Sequence, residues 1–185
     1  FIQERDIQNA IHCLAVMLYL NRPADVTAAR MSQLAAVGTR MEVKEGVNNC
    51  LVIYDAYTSD LNSLAPALDF MARRRTSRRT TTIILSDVMH ETLPPDKLYR
   101  EVAELLRRRG IARVIGVGEE ISAHSRYFTA DSRFFPSTTA FLGEVTASDF
   151  DNELILIKGS PRFHFELIAE TLQARQHESI LEVNL

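Results

Sequence analysis

The sequence lacks the features of several large protein classes. It has no tryptophan and only two cysteines, Cys13 and Cys50, in 185 residues. Both lie in apolar runs and neither has a CxxC or Cys/His partner, so we expect no zinc site and two buried free thiols in a reducing cytosol. No apolar run reaches about 18 residues, and no signal peptide is recognisable. We therefore expect a cytoplasmic protein without membrane insertion.

The charge pattern gives little support for a polyanionic partner. The net charge is −3, so no strong field favours nucleic acid or an anionic membrane. The arginine-rich stretch 73–79 falls at the end of a predicted helix, where cations complement the helix dipole. The five histidines form no HxH or HxxxH pair. We expect neither a nucleic-acid partner nor a metal held by these side chains.

The length suits one ordinary domain with some additional structure. The chain begins at Phe1, almost directly in a helical pattern, and we expect a fragment of a longer protein. It contains no GxxxxGK[ST] motif and hence no P-loop of its own. Gly116-Val117-Gly118 lacks the third glycine of GxGxxG, because Ile121 takes that place, so a phosphate loop is not expected there.

Apolar strands alternate with amphipathic helices along most of the chain. The pattern predicts an α/β fold, with a doubly wound, mostly parallel, Rossmann-like sheet, helices on both faces and a short helical segment in front. The predicted strands are 40–47, 50–54, 80–85, 112–117, 133–135 and 153–157. The predicted helices are 7–18, 24–34, 62–75, 97–109, 119–127, 137–143 and 163–172. Three parts result: a helical segment 1–37, an α/β domain 38–174 and a tail 175–185.

Polar residues follow three of the predicted strands. They are Asp55, the pair Ser86-Asp87, and the turn Lys158-Gly159-Ser160. In open α/β sheets, ligands bind outside the carboxyl ends of the strands, so these groups mark a candidate site. The lysine turn suits a carboxylate or phosphate, and equally a tight strand-to-helix turn.

The segment after the second strand offers nucleotide-binding groups. Asp55 can accept hydrogen bonds from a ribose hydroxyl pair, or serve as a loop carboxylate. Tyr57 can stack on a base or cover the sheet edge. Asn62 and Ser63 can cap the next helix. Arg40, upstream, suits a phosphate, but a surface ion pair with Glu42 is the simpler interpretation.

These residues stand in an order that resembles the Mur ligases, which build the peptide of bacterial cell walls. Arg40-Met41-Glu42, a strand, and the segment 55–63 resemble the opening of that family's C-terminal domain. The family string D-x-Y-N-A-N-P-x-S is matched at Asp55, Tyr57 and Ser63. Thr58, Asp60 and Leu61 depart from that string. In later segments of the family's domain, Ser86 stands in place of a glycine and Pro161 in place of an arginine. Residues 83–87, 111–119 and 155–160 resemble later segments of that domain, and 6–34 resembles the end of the family's central ATPase domain.

The resemblance implies an activity and a set of partners. It points to the members that add D-alanyl-D-alanine to UDP-N-acetylmuramoyl-tripeptide, by ATP-dependent amide formation through an acyl phosphate. The magnesium ligands would lie in a missing central domain, of which 1–37 is the end, so the fragment alone would be inactive and contain no catalytic residue. Two groups of site residues are implied: Arg40, Asp55 and Tyr57 for ATP, and Ser86, Asp87, Lys158, Gly159 and Ser160 for substrate.

The tail carries a second resemblance. Residues 179–185 resemble the first strand of alanine racemases of the pyridoxal-phosphate barrel type. This implies a parent in which ligase and racemase are fused, with pyridoxal phosphate bound only in the missing racemase domain.

Two other functions stay open. Asp55, Ser86 and Lys158, each after a strand, also resemble a phosphoacceptor receiver domain, which would be a signalling switch. Against this, no acidic pair ends an early strand to hold magnesium, and Gly159 stands where receivers place proline. The other possibility is a non-catalytic α/β scaffold.

Overall fold

A computed structural model describes residues 4–32, 41–89 and 92–173 of the chain. It divides into two units, Phe1–Thr39 and Arg40–Leu185. The first unit contains the helices α1, Glu4–Tyr19, and α2, Ala24–Ser32. Cys13, on α1, is exposed, so the expectation of burial is wrong there, whereas Cys50 is buried as expected. In the described residues, no helix is both long and apolar enough to cross a bilayer.

The second unit is built on one six-stranded sheet. Its strands are β1 Glu42–Glu45, β2 Leu51–Asp55, β3 Thr80–Ser86, β4 Arg113–Val117, β5 Arg133–Phe135 and β6 Glu153–Lys158. The spatial order is β1-β2-β6-β3-β4-β5. Only the edge strand β1 pairs antiparallel, and the other four pairings are parallel. The last strand therefore inserts between the second and the third, which brings three distant parts of the chain together.

Helices cover both faces of this sheet. They are α3 Leu61–Ala72, α4 Pro95–Arg108, α5 Glu119–Ala123, α6 Thr138–Glu144 and α7 Phe165–Leu172. Because side chains alternate along a strand, Leu154 and Leu156 pack with α3, α4 and α5, whereas Ile155 and Ile157 pack with α6 and α7. The predicted doubly wound α/β fold is thus confirmed.

The helix starts follow local capping chemistry. Ser137 caps α6 by accepting the Ala140 amide at 3.1 Å. Helix α3 starts differently from the prediction. Asp60 is its N-cap and accepts the Ser63 amide at 2.7 Å, and the Ser63 hydroxyl completes a capping box. Asp60 outcompetes Asn62 and Ser63 as the cap because its extended backbone leaves the side chain free to reach the first turn.

Two helices are shorter in the structure than predicted from their apolar periodicity. The segment 119–127 breaks into α5 and a 3₁₀ turn, Ser125–Tyr127. The last helix begins only at Phe165, because His164 adopts a left-handed backbone, φ +51°, after a 3₁₀ turn at Pro161–Phe163. Proline at the first position of that turn lacks an amide that would have no partner there.

Candidate functional site

Asp55 and Lys158 form the centre of the site. Asp55 ends β2, Lys158 ends β6, and the two are paired residues in the parallel register. Both point to the face covered by α3, since each lies two residues after a residue that packs there, Ile53 and Leu156 respectively. The Lys158 ammonium lies 3.1 Å from Asp55 Oδ2, and both side chains are buried. The polar strand ends predicted from the sequence therefore meet as a buried salt bridge.

The same ammonium also holds the loop that follows β2. It donates a hydrogen bond to the carbonyl oxygen of Thr58 and lies 3.4 Å from Thr58 Oγ1. We call residues 55–60 the Asp55 loop. A lysine at the end of the central strand thus contacts both the start and the middle of this loop.

The Asp55 loop is also tied to the end of β3. The Met89 amide donates to the Ser59 carbonyl at 2.6 Å. Ser86 is fully buried, and its hydroxyl accepts the Ser160 amide at 3.3 Å and donates to the Asp87 carbonyl at 3.0 Å. The ends of β2, β6 and β3 consequently form one hydrogen-bonded edge. Ser86, in place of the family's glycine, contributes a hydroxyl to that edge.

Asp87 directly follows Ser86 at the end of β3. Its carboxylate accepts a hydrogen bond from the Ile121 amide at 2.8 Å and so contacts the first turn of α5. Burial raises the pKa of the Asp87 carboxyl, while amide hydrogen bonds and the charge of Arg162 act in the opposite direction. A half-buried carboxylate that already accepts a helix amide is well placed for a cationic or hydroxyl group.

The remaining predicted site residues are placed as follows. Tyr57 is 56% exposed on the Asp55 loop. Gly159 is buried, and a Cβ there would lie 2.6 Å from the Phe165 ring, so the turn after β6 requires glycine. Arg40 lies outside the described residues, and its predicted phosphate contact stays a prediction. The tail 179–185 is outside them as well.

Sequence patterns missed three groups at this edge. Ser59 is buried, and its hydroxyl has no hydrogen-bond partner among the described residues. The Tyr99 hydroxyl, from α4, accepts the Val88 amide at 3.2 Å, and burial raises the pKa of Tyr99. Gly118 has φ +147° and is packed against the Asp87 carboxylate. Tyr99 fits an ordinary helical core pattern, so only the fold reveals its polar contact.

The described part of the chain offers no protein site for a metal ion. Within residues 4–32, 41–89 and 92–173, no group of three His, Cys, Asp or Glu side chains is arranged to hold a metal ion. The edge instead offers carboxylates, hydroxyls, backbone amides and an aromatic ring. That set suits an organic ligand with hydroxyl and amine groups.

The chain is similar to known peptide ligases over most of its length. No family model matches the chain. The chain is 24% identical over 170 residues to the UDP-N-acetylmuramoyl-tripeptide–D-alanyl-D-alanine ligase of Escherichia coli, an alignment that covers 91% of this chain and 37% of that protein.

Solved structures agree on the fold. A MurF crystal structure from Acinetobacter baumannii aligns with 92% of this chain and 38% of its own, at a TM-score of 0.64 and 18% identity. The murein peptide ligase mpl of Psychrobacter arcticus aligns with 90% of this chain and 37% of its own, at 0.60 and 17%. The MurF ligase of Thermotoga maritima, in complex with ADP, aligns with 85% and 35%, at 0.55 and 16%.

The fold thus defines an α/β domain similar to that of the Mur ligases, as the sequence predicted. Within that class, the similarity is to the C-terminal portion of the ligase that joins D-alanyl-D-alanine to UDP-N-acetylmuramoyl-tripeptide. The chain spans only about a third of the length of these relatives.

Proposed function

We propose that this chain is the C-terminal domain of an ATP-dependent amide ligase that adds D-alanyl-D-alanine to UDP-N-acetylmuramoyl-tripeptide in the bacterial cytoplasm. The observation that carries the proposal is the Asp55 carboxylate, fixed at the carboxyl end of β2 next to the end of β6. Open α/β sheets bind nucleotides at this edge, where an acidic side chain can accept the ribose hydroxyls.

The departures from the family string fit this proposal. Asp60 stands where the family has asparagine and is the N-cap of α3, a role in which the two residues are nearly equivalent. Leu61 then replaces a proline at the first helical position, where either residue is tolerated. Thr58 contributes its backbone carbonyl to Lys158, a contact that any residue can make. Asp60 and Thr58 thus both make contacts that shape the Asp55 loop in this chain.

In the proposed reaction, the tripeptide carboxylate attacks the γ-phosphorus of ATP and ADP leaves. The amine of D-alanyl-D-alanine then attacks the acyl carbon, phosphate leaves with the bonding electrons, and the amine loses a proton. Such chemistry depends on positioning and on neutralising phosphate charge. The P-loop and magnesium ligands would belong to a central domain, with Mg²⁺ entering as part of the ATP substrate.

This domain would supply a lid. Arg40 would meet the ATP phosphates, Asp55 the ribose and Tyr57 the adenine side. The edge formed by Ser86, Asp87 and the 158–160 turn would face the incoming dipeptide. Closure of the lid would exclude water from the acyl phosphate, which is easily hydrolysed. The chain alone would therefore be inactive.

The proposed function also implies how the parent chain is divided into domains. Residues 1–37 would be the end of the central ATPase domain and 38–174 the ligase domain. The tail 175–185 would lead into a racemase domain that binds pyridoxal phosphate. Purification of the full-length parent and assay of alanine racemisation would test this last point.

The alternatives gain no support from the site. A receiver needs further carboxylates beside the phosphoacceptor to hold magnesium, and the described residues offer no such cluster. Acetyl phosphate would label Asp55 if the chain were a receiver, and we expect no label. A scaffold leaves the conjunction of Asp55, Lys158 and Ser86 unexplained.

Phosphate release by the longer protein, with its upstream domains, tests the proposal. We expect release to require ATP, magnesium, UDP-N-acetylmuramoyl-tripeptide and D-alanyl-D-alanine together, and to be lost in Asp55→Ala and Arg40→Ala. Asp151→Ala is the matched control, since Asp151 is exposed and precedes β6 at the opposite edge. A folded protein that releases no phosphate with all substrates present would overturn the proposal.

A further inference from the structure

Lys158 has the highest degree of burial among the three lysines of the chain. Its side chain is 1% exposed, compared with 44% for Lys44 and 63% for Lys97. An ammonium has three N–H donors and no acceptor. Here the acceptors around it are Asp55 Oδ2, the Thr58 carbonyl and Thr58 Oγ1. Every donor therefore has an acceptor within the protein.

This geometry favours a different role from direct substrate binding. A ligand carboxylate or phosphate would have to displace an acceptor and reach a buried nitrogen, at a large desolvation cost. We propose that Lys158 is a positioning residue that holds the Asp55 loop in its nucleotide-binding conformation, so that Lys158 acts on the ligand only through Asp55 and Tyr57. The inference rests on the proposed function for its consequences in catalysis, but the positioning itself can be measured in this chain.

Lys158 holds a different part of the loop from the contacts made at Asp60 and Ser59. Asp60 is fixed as the cap of α3, and the Ser59 carbonyl is held by the Met89 amide. The Lys158 ammonium contacts the earlier part of the loop, at the Asp55 carboxylate and at the Thr58 carbonyl. Tyr57 lies within that span. Without the ammonium, the buried Asp55 carboxylate would lose Lys158 as an ion-pair partner, and the loop would lose its contact at the Thr58 carbonyl.

The first test uses the unmodified chain and competitive labelling of lysines with acetic anhydride. A positioned, buried Lys158 should react roughly a hundredfold more slowly than Lys44 and Lys97, because labelling requires local opening. Addition of D-alanyl-D-alanine should leave its rate unchanged. Reaction of Lys158 at the rate of the exposed lysines, or protection by the dipeptide, would overturn the inference.

The second test is hydrogen exchange in a variant. In Lys158→Met, amide exchange in residues 56–60 should rise by roughly a hundredfold, the scale expected for loss of a buried ion-pair partner. Exchange in α4 should not change. Lys97→Met is the matched control and should leave residues 56–60 as in the wild type. If Lys158→Met does not fold, Lys158→Gln, which retains N–H donors, decides in its place. Unchanged loop exchange in the folded variant would refute the positioning role.

The third test separates positioning from substrate contact in the longer ligase. Lys158→Gln should raise the KM for ATP roughly tenfold and leave the KM for D-alanyl-D-alanine within about twofold. A rise confined to the dipeptide KM would mean direct contact and would overturn the inference. If the longer protein had no ligase activity, the proposed function would fail, while labelling and exchange would still decide the positioning role.

Discussion

Asp87 Oδ1 accepts the Ile121 amide at 2.8 Å and thereby joins the end of β3 to the first turn of α5. Gly118 makes this junction possible, because its backbone at φ +147° brings the two segments close together. A carboxylate placed at a helix start is favoured by the unpaired amides there. The junction forms one boundary of the edge proposed to bind substrate.

Replacement of Gly118 by alanine should disrupt that junction. The added Cβ would overlap the Asp87 carboxylate, and φ +147° is strained for any residue with a Cβ. We expect the free energy of unfolding in urea to fall by about 2 kcal/mol or more. Gly143→Ala is the control, since nothing lies within 4 Å of its Cβ position in α6. That variant should be neutral or stabilised by up to about 1 kcal/mol. Equal losses in both variants would contradict the steric argument.

The Asp87 carboxyl should give stability a specific pH dependence. Burial raises its pKa in the folded protein above the ordinary value of 3.8. The folded state then binds the proton more tightly than the unfolded state. The group's contribution to stability is therefore largest below pH 3.8 and falls as pH rises through the raised pKa.

Urea unfolding at several pH values checks this expectation. Asp87→Asn keeps an oxygen for the Ile121 amide but cannot titrate. The stability of the wild type relative to Asp87→Asn should fall as pH rises from 3.8 through the raised pKa, and then level off. A relative stability that rises over that interval would mean that the amide hydrogen bonds outweigh burial.

The strand ends were predictable from sequence, but their pairing was not. Continuous apolar runs indicated buried parallel strands, and each run ended in a polar residue at the same edge. The contact between Asp55 and Lys158 depends on the insertion of β6 between β2 and β3. This strand order is set by long-range packing, and no local sequence pattern indicates it. Burial of Lys158 was missed for the same reason, since an ammonium after a strand is normally expected at the surface.

Local chemistry also set limits on the prediction. The helical period in 163–172 was real, but the left-handed residue His164 delays the start of α7 to Phe165. Similarly, Asn62 and Ser63 were the caps predicted from the sequence, whereas the backbone geometry makes Asp60 the cap of α3. Element type was thus predictable from periodicity, while element ends depended on single backbone conformations.

The cap of α3 provides a prediction about the family string. Asp60→Asn restores the residue usual in the Mur ligases and should change the free energy of unfolding by less than about 0.5 kcal/mol, because both side chains accept the Ser63 amide. Asp60→Ala should cost about 1 kcal/mol. Urea unfolding of the two variants measures the difference. Comparable destabilisation by asparagine and alanine would show that the charge of Asp60 matters, rather than its capping oxygen.

At the amino-terminal ends of the strands, opposite the Asp55 loop, Glu153 should be a major contributor to stability. Its buried carboxylate lies 3.1 Å from the Arg113 guanidinium and accepts the Thr82 hydroxyl. Glu153→Ala should lower the free energy of unfolding by about 3–5 kcal/mol, because it leaves the partly buried Arg113 guanidinium without its ion-pair partner. Glu144→Ala is the matched control, since Glu144 is 67% exposed and lies 3.9 Å from Arg133. It should cost less than about 1 kcal/mol.

Urea unfolding of these two variants, followed by circular dichroism, tests the contrast. Because Glu153 lies at the amino-terminal end of β6, away from the Asp55 loop, its loss should reduce stability without changing the exchange of residues 56–60 under native conditions. A loss in Glu153→Ala no larger than in Glu144→Ala would show that the buried pair is compensated by solvent or by neighbouring groups. Faster exchange confined to residues 56–60 would show instead that the two edges are coupled through β6.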